Sequence, residues 1–274
     1  MPTSAALGAI LLWSTLAAFG VALGHLPPLF LTGCALSIGA IPGLMRIRQW
    51  RVPVSTLLLG VGGLFGFHFL LFLALRYAPP VEANLVNYLW PLLIVLLTPV
   101  LLPGWRLGAR HVIAAGLGFL GAALAIGAAP TTLTPVAITG FAFAMGSALT
   151  WACYSLLTRR VAHFSSWAIG GFALASGVLA LACHFVFEAP ATLRDGDGWR
   201  LLLLGLGPMG LSFYLWDFAM KRGDPRAIGV LAYATPLLST ALLVVTTVRP
   251  LTPALAAATL LVIGAAALAA TSRQ

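Results

Sequence analysis

The sequence predicts an all-α polytopic membrane protein, with ten transmembrane helices arranged as a five-plus-five inverted repeat. Composition is the first indication, because 61% of the residues are hydrophobic, only 8% are charged, and the mean hydropathy is +1.03. A soluble domain carries roughly a quarter charged residues. The second indication is a series of apolar stretches that each reach the roughly 20 residues needed to cross a bilayer. The third is a weak internal repeat, each copy of which contains five of these stretches.

The apolar stretches leave almost no sequence for a soluble domain, so residues 1–274 are predicted to form a single transmembrane domain. The longest connection runs from Glu188 to Gly198. The predicted spans, called spans 1 to 10 in chain order, are residues 4–22, 27–45, 54–75, 82–102, 107–127, 135–158, 165–187, 199–220, 226–247 and 251–271.

Basic residues are unevenly divided between the two sides that ten crossings define. Of the 15 Lys and Arg residues, 11 fall on the side of the two termini and 4 on the opposite side. Because positive loops stay in the cytoplasm, this bias predicts an inner (plasma) membrane protein with both termini cytoplasmic. The net charge of +9 is spread over short loops and does not indicate nucleic-acid binding. Span 1 has no basic leader or small-residue cleavage site, so it is predicted to be a retained helix.

The internal repeat relates residues about 138 to 145 positions apart. The most informative matches are Trp13 with Trp151, Tyr88 with Tyr233, and Pro91 with Pro236. Repeat one covers about residues 4–127 and repeat two about residues 135–271. Because five is odd, the second copy enters the membrane from the opposite side, which is the inverted topology of many secondary transporters. Two such halves can rock about a central site, which we expect to be bounded by spans 1, 3, 4, 6, 8 and 9.

Polar and helix-bending residues share one face of span 4. Asn84, Asn87, Tyr88 and Pro91 fall within a stripe of about 100° at the helical period. Since proline lacks an N–H, Pro91 and its partner Pro236 are predicted to free a carbonyl near the bilayer midplane and to act as hinges. We expect Asn87 and Tyr88 to line a substrate pathway. Alternatively, Asn87, Tyr88 and the two prolines could serve only the packing of helices against one another. Asn84 could simply be a solvent-exposed residue at the start of its helix.

An ionisable group inside a membrane span is a candidate functional site. His68 in span 3 is such a group, and it could donate a hydrogen bond to a substrate carboxylate or pass a proton. The alternative is a neutral histidine bonded to a neighbouring helix. Because Asn87 aligns with Ala232 and His68 with Phe213, we expect the hydrogen-bonding groups to lie in the first repeat alone.

Aromatic residues at a comparable depth provide further candidates. Their rings could stack on an aromatic substrate or face an ammonium group, or they could simply fill the interior of the bundle. These candidates are Trp13, Phe72, Trp151, Tyr154 and Tyr214.

The sequence contains no enzyme signature, since it lacks a Gly-rich phosphate loop, paired intramembrane acids and Cys/His metal-ligand spacing. Asp217, a carboxylate inside span 8, is expected to pair with Lys221 one helical turn away. His184 and Glu188 form a second such pair without a third ligand, so no metal site is predicted. No cofactor is predicted either, and the three cysteines within spans do not suggest disulfides.

The ten spans, the inverted repeat, the Trp in spans 1 and 6, and the Pro within spans 4 and 9 together resemble the EamA-type members of the drug/metabolite transporter superfamily. Within it, the segment Asn87-Tyr88-Leu89-Trp90-Pro91, with His68-Phe69 on the preceding span, is similar to the YddG-type aromatic amino-acid exporters. The resemblance implies export of aromatic and other neutral amino acids from the cytoplasm through a central cavity. Trp90 and Tyr233, the repeat partner of Tyr88, complete the candidate substrate-binding residues.

The expected partners are a neutral or aromatic amino acid and the lipid bilayer, with the protein acting as a monomer or weak homo-oligomer. The alternatives are a carrier for another small metabolite or drug and, from a different class, a membrane enzyme or a scaffold without transport. No basic residue lies deep in a predicted span, which disfavours an anionic substrate. Facilitated movement and proton coupling both remain open.

Overall fold

The computed structural model describes residues 1–126, 134–247 and 253–270. These residues form helices and short connections, with no β-strand among them, which confirms the predicted all-α class. The α-helices are α1 Pro2–Ser14, α2 Leu16–Leu23, α3 Pro28–Gly39, α4 Ile41–Leu44, α5 Val54–Val61, α6 Phe67–Tyr77, α7 Pro80–Asn87, α8 Trp90–Leu101, α9 Ala109–Ile126, α10 Pro135–Leu157, α11 Ile169–Phe187, α12 Asp197–Leu206, α13 Ser212–Arg222, α14 Pro225–Leu231, α15 Ala234–Thr247 and α16 Pro253–Ala270. Two short 3₁₀ turns cover Ile47–Trp50 and Ser166–Ala168, and two π-helical segments cover Gly62–Gly66 and Gly207–Leu211.

Among the described residues, six helical stretches are long and apolar enough to cross a membrane: Pro2–Leu23, Val54–Tyr77, Pro80–Leu101, Pro135–Leu157, Ser166–Phe187 and Asp197–Arg222. Shorter apolar helices cover Pro28–Leu44, Ala109–Leu124 and Ala256–Ala269. The chain is therefore a multi-pass membrane protein built from helices, whose backbone groups are satisfied within each segment. The six stretches coincide within a few residues with predicted spans 1, 3, 4, 6, 7 and 8, and the count of ten crossings stays a prediction.

Predicted spans 4 and 9 are each divided into two helices just before their prolines. The residues on either side of the break are Asn87 and Trp90 in span 4, and Leu231 and Ala234 in span 9. Pro91 is the second residue of α8 and Pro236 the third of α15. The N–H groups of a first helical turn have no partner within the helix, so proline is tolerated there. The prolines thus follow a short interruption of the α-helical hydrogen bonding, within which Leu89 and Ala232 keep near-helical backbone angles.

The two π-helical segments occupy comparable places in the chain. Gly62–Gly66 joins α5 to α6, and Gly207–Leu211 joins α12 to α13. Gly62 and Gly207 are 145 positions apart, which is also the offset between Tyr88 and Tyr233. A π-helical turn is rare and often accompanies a functional site. His68 and Phe213 are each the second residue of the α-helix that follows.

Helices far apart in the chain pack in pairs. The most extensive contacts join α9 to α16, α3 to α11, α6 to α10, and α1 to α13. Glycine permits a further close approach outside these pairs, where the ring of Tyr233, between α14 and α15, lies against the backbone at Gly118 of α9 and a Cβ at position 118 would collide with it. Such small residues are how helix backbones approach each other in lipid.

Both side-chain pairs that the sequence predicts are confirmed. Lys221 Nζ lies 2.8 Å from Asp217 Oδ2, and His184 Nδ1 lies 2.8 Å from Glu188 Oε2. The Glu188 carboxylate also accepts the backbone N–H groups of Leu29 and Phe30 at the start of α3, at 2.8 and 3.2 Å. Glu188 therefore caps α3 and connects it to the end of α11.

Candidate functional site

A cavity of about 270 Å³ lies among helices from both predicted repeats. Its walls are formed by Trp13, Leu16, Phe19, Gly20, Leu31, Thr32, Ala35, Phe67, His68, Leu71, Asn84, Asn87, Tyr88, Trp90, Trp151, Leu204, Met209, Phe213 and Thr235. The lining residues of span 4 lie toward the end of α7 and at the start of α8, and those of span 3 lie in the first half of α6. The lining residues of α2 and α3 flank the α2–α3 connection, so the cavity extends toward that connection. The contribution of α3, from span 2, was not among the walls that the sequence predicted.

Four mutually contacting tryptophans lie at this cavity, and we call them the tryptophan cluster: Trp13, Trp90, Trp151 and Trp216. Trp13 meets Trp90 and Trp151 edge to face, with ring centroids 6.2 and 5.9 Å apart. Trp216 lies behind the other three and donates its indole N–H to Ser155 Oγ at 3.0 Å. Edge-to-face contacts of this kind stabilise a rigid aromatic surface. The three remaining tryptophans line the cavity.

His68 lies in the wall beside this surface. Its Nδ1 is 2.6 Å from the carbonyl oxygen of Leu64, so Nδ1–H is the donor, and the neutral ring presents Nε2 as an acceptor. In this tautomer a neutral His68 accepts a hydrogen bond from a ligand, and the donation to a carboxylate that the sequence suggested would need a second proton on Nε2. Its ring also meets Phe213, its repeat partner, edge to face at 6.2 Å.

The polar residues of span 4 gather at the break between α7 and α8. Asn87, the last residue of α7, is 4% exposed, and its Oδ1 has no hydrogen-bond partner. Asn84 and Tyr88 line the same wall and are half-buried. A buried polar atom without a partner is uncommon in folded proteins and calls for a ligand, a water molecule or an ion. Asn87 is therefore a candidate contact for a bound polar group.

Thr235 is a lining residue that sequence reasoning missed. It is the second residue of α15, is 4% exposed, and its Oγ1 has no hydrogen-bond partner. The cavity wall therefore contains a hydrogen-bonding group of the second predicted repeat, in addition to the first-repeat groups that the sequence predicted. The available signal was its position, since Thr235 directly precedes Pro236 and corresponds to Trp90 in the repeat. A comparison confined to polar residues of span 4 could not find it.

Four candidates lie outside the cavity wall and make other contacts. Tyr154 packs against the backbone of Gly63, and Tyr214 donates its hydroxyl to the Gly39 carbonyl at 3.1 Å. Tyr233 is fully buried, and its hydroxyl accepts the backbone N–H of Leu92 at 3.1 Å. Phe72 is half-buried beside Phe69, with ring centroids 6.4 Å apart. The seven candidates that do line the cavity are Trp13, His68, Asn84, Asn87, Tyr88, Trp90 and Trp151.

Charge is absent from the cavity wall, as the described lining residues include no Asp, Glu, Lys or Arg. Within the part of the chain that the structure describes, no three His, Cys, Asp or Glu side chains are grouped so that they could hold a metal ion. The wall therefore offers aromatic faces and neutral hydrogen-bonding groups. Such a wall suits a molecule with an apolar body and a few polar groups.

Comparison with known proteins agrees with this architecture. The model of the EamA-like transporter family matches residues 3–127 and again residues 138–271. The chain belongs to the EamA-like transporter family. It is therefore a membrane transporter and not an enzyme.

Individual relatives cover most of the chain. It is 43% identical to the aromatic amino acid exporter YddG of Ancylobacter novellus over 95% of this chain and 94% of that protein. It is 28% identical to the aromatic amino acid exporter YddG of Escherichia coli K12, over 89% and 87% of the two chains. A solved crystal structure with 42% sequence identity has a TM-score of 0.93 and matches 98% of this chain and 96% of that one.

Proposed function

We propose that this protein exports aromatic and other neutral amino acids from the cytoplasm across the inner membrane, by alternating access through the cavity. The observation that carries the proposal is the wall itself, in which three tryptophans face unpaired neutral polar groups and the described lining residues bear no formal charge. Aromatic faces attract both aromatic side chains and ammonium groups. A wall without a basic residue disfavours an anion. The relative with 43% identity, itself named an aromatic amino acid exporter, supports the same substrate class.

The proposed contacts to the cargo are the seven candidates in the wall: Trp13, His68, Asn84, Asn87, Tyr88, Trp90 and Trp151. Phe72, Tyr154, Tyr214 and Tyr233 are left out of the proposed site, because their rings pack elsewhere. Pro91 and Pro236 are the proposed hinges, as each follows a helix break.

The proposed topology has ten crossings, formed by two inverted repeats at about residues 4–127 and 135–271, with both termini in the cytoplasm. Its support is the double family match, the two π-helical segments, and two helix breaks at a common offset. The bias of 11 basic residues against 4 supports the orientation. A fluorescent protein fused after Gln274 should fluoresce, and alkaline phosphatase at the same position should be inactive. An active phosphatase fusion would refute this orientation.

Transport by purified protein in liposomes tests the proposal directly. Vesicles loaded with phenylalanine or tryptophan should take up the labelled amino acid by counterflow, and glutamate should not compete. Trp90→Ala should reduce this uptake, whereas Leu58→Ala, at a side chain 66% exposed on α5, should not. Uptake of an amphipathic drug or a nucleotide-linked sugar, with no uptake of amino acids, would instead support a carrier for another metabolite.

A further inference from the structure

We propose that the two helix breaks hold an amino acid in one fixed orientation, with its ammonium group at Asn87 and its carboxylate at Thr235. The inference rests on the proposed function, since it takes an amino acid as the cargo. It adds a residue of the second repeat to the site and assigns a role to each break. Because the described lining residues carry no formal charge, the two ionic groups of the ligand must be met by dipoles and neutral hydrogen-bonding groups.

The acceptor pole is the end of α7. Asn87 is its last residue and lines the cavity, and its Oδ1 is buried without a partner. The carboxyl end of a helix carries a partial negative charge, which favours a cation. His68, on the neighbouring span, presents Nε2 as a second acceptor while its Nδ1–H is bonded to Leu64. The groups on this side of the cavity therefore suit an ammonium.

The donor pole is the start of α15. Hydroxyl side chains in a helix commonly donate to the carbonyl four residues earlier. Thr98, Thr150 and Ser212 do so in this protein, at 2.6 to 2.8 Å from the carbonyls of Ile94, Gly146 and Pro208. Thr235 does not, because the residue four positions earlier, Leu231, lies across the break at the end of α14.

The hydroxyl of Thr235 is therefore free to donate into the cavity. It is also in the first turn of a 14-residue helix, whose amino end carries a partial positive charge. Both features favour a carboxylate at this place. Two other buried hydroxyls without a partner, those of Thr56 and Ser176, do not line the cavity and so cannot serve the same ligand.

The opposite orientation, with the carboxylate at the break of span 4, is disfavoured because the Tyr233 hydroxyl already occupies the start of α8. There the backbone N–H of Leu92 donates to the hydroxyl of Tyr233, so a donor of that first turn is satisfied from the other repeat. The repeat partner, Tyr88, instead lines the cavity. The two breaks thus differ: the one in span 9 presents a buried hydroxyl without a partner in a first helical turn, and the one in span 4 presents a buried amide oxygen without a partner at a helix end. Broken membrane helices recognise ionic groups in this way in other transporters.

Three ligands with the same phenyl ring but different ionic groups test the assignment of Asn87 to the ammonium and Thr235 to the carboxylate. Phenylalanine carries both ionic groups, phenethylamine lacks the carboxylate, and 3-phenylpropionate lacks the ammonium. Binding of each to the purified full-length protein is measured by titration calorimetry. Thr235→Val keeps the shape of the side chain and removes only the hydroxyl, whereas Thr235→Ser keeps a hydroxyl at this position. Asn87→Leu removes the side-chain amide at the end of α7.

We expect Thr235→Val to weaken the binding of phenylalanine and of 3-phenylpropionate by about tenfold to a hundredfold. The binding of phenethylamine should stay nearly unchanged. Asn87→Leu should weaken the binding of phenylalanine and of phenethylamine and leave the binding of 3-phenylpropionate nearly unchanged. Thr235→Ser should bind like the wild type. If Thr235→Val does not fold, Thr235→Ala is measured against Thr235→Ser with the same three ligands.

If Thr235→Val lowers the affinity for all three ligands equally, Thr235 has a packing role and the inference is overturned. If Thr235→Val lowers the affinity for phenethylamine and not for 3-phenylpropionate, the proposed orientation is overturned. Wild-type protein that binds phenylalanine, together with a Thr235→Val variant that binds it equally well, would defeat this inference and leave the proposed function intact. Wild-type protein that binds none of the three ligands would reject the proposed function itself.

Discussion

Tyr233 and Tyr88 occupy equivalent positions in the two predicted repeats, yet their hydroxyl groups have different surroundings. Tyr233 is fully buried, accepts the N–H of Leu92, and rests its ring on Gly118. Tyr88 is half-buried in the cavity wall. Tyr233 therefore connects the two predicted repeats at the break of span 4, while Tyr88 remains available to contact the cargo.

This difference gives a stability prediction. Tyr233→Phe keeps the ring and removes the acceptor of the Leu92 N–H, which leaves a buried backbone donor unpaired and should cost about 1–3 kcal/mol. Its Tm in detergent should fall clearly below that of the wild type. Tyr88→Phe is the matched control, and its Tm should stay close to the wild-type value. Equal Tm values for Tyr233→Phe and the wild type would show that the Leu92 N–H has found another acceptor.

Residues within the candidate site differ in how far the sequence could reveal them. Asn87 and His68 are polar groups inside apolar spans, so lipid exposure is excluded and the cavity is a natural place for them. An aromatic residue carries no such constraint, because a ring fills a helix contact as well as a pocket. Tyr154 packs on Gly63, and that partner lies some ninety residues away in the chain. Thr235 was hidden for another reason, because the significance of its hydroxyl depends on which carbonyl the broken helix brings within reach.

At the scale of the helices, the sequence located the breaks but not their form. A proline removes one N–H and clashes with the preceding turn, which predicts a kink near Pro91 and Pro236. In the structure, α7 ends at Asn87 and α8 begins with Trp90, so two residues lie between the helices. The Tyr233 hydroxyl supplies the hydrogen bond that the first turn of α8 lacks. That contact comes from a distant part of the chain and cannot be read from local sequence.

Substitution of the two prolines tests the hinges. Pro91→Ala and Pro236→Ala each permit a further helical hydrogen bond across the break, which would stabilise the continuous helix by about 0.5–1.5 kcal/mol. Turnover in liposomes should fall by about two- to tenfold if opening the break limits transport, and by a similar factor in both variants. Pro99→Ala, inside α8 and away from the break, is the control and should transport normally. Normal turnover in both hinge variants would mean that the prolines only shape helix packing.

At the scale of the whole molecule, a group of charged contacts lies outside the cavity wall, at the ends of several helices. Trp105, after α8, contacts the guanidinium groups of Arg159 and Arg226, whose Cζ atoms lie 5.2 and 4.9 Å from its ring centroid. Arg159 Nη1 donates to the carbonyls of Met220 and Gly223 at 2.8 and 2.6 Å. Arg226 donates to the carbonyl of Arg106. We call Trp105, Arg159 and Arg226, with the carbonyls that they hold, the charged clamp.

The clamp contains an ion pair that persists at neutral pH. Burial raises the pKa of Asp224, but the hydrogen bonds from Arg226 outweigh it and hold this pKa below its ordinary value. The carboxylate is therefore ionised at neutral pH and fixes the Arg226 guanidinium beneath Trp105. Together these contacts tie the α8–α9 connection, the end of α10 and the α13–α14 connection to one another. In the alternating-access proposal, they must separate for the cavity to open at this end.

Arg159→Gln should loosen the clamp without touching the cavity. A hydrogen bond to a charged group contributes about 1.5–3 kcal/mol, so even the loss of one of the two should raise the population opened at this end by about tenfold or more. Hydrogen exchange at the backbone amides of 102–107 and 219–228 should become correspondingly faster, while exchange around the α6–α7 connection stays unchanged. Arg160→Gln, at the exposed neighbouring position, removes the same charge and should exchange like the wild type. Unchanged exchange in Arg159→Gln would show that Trp105 and Arg226 hold this end closed without it.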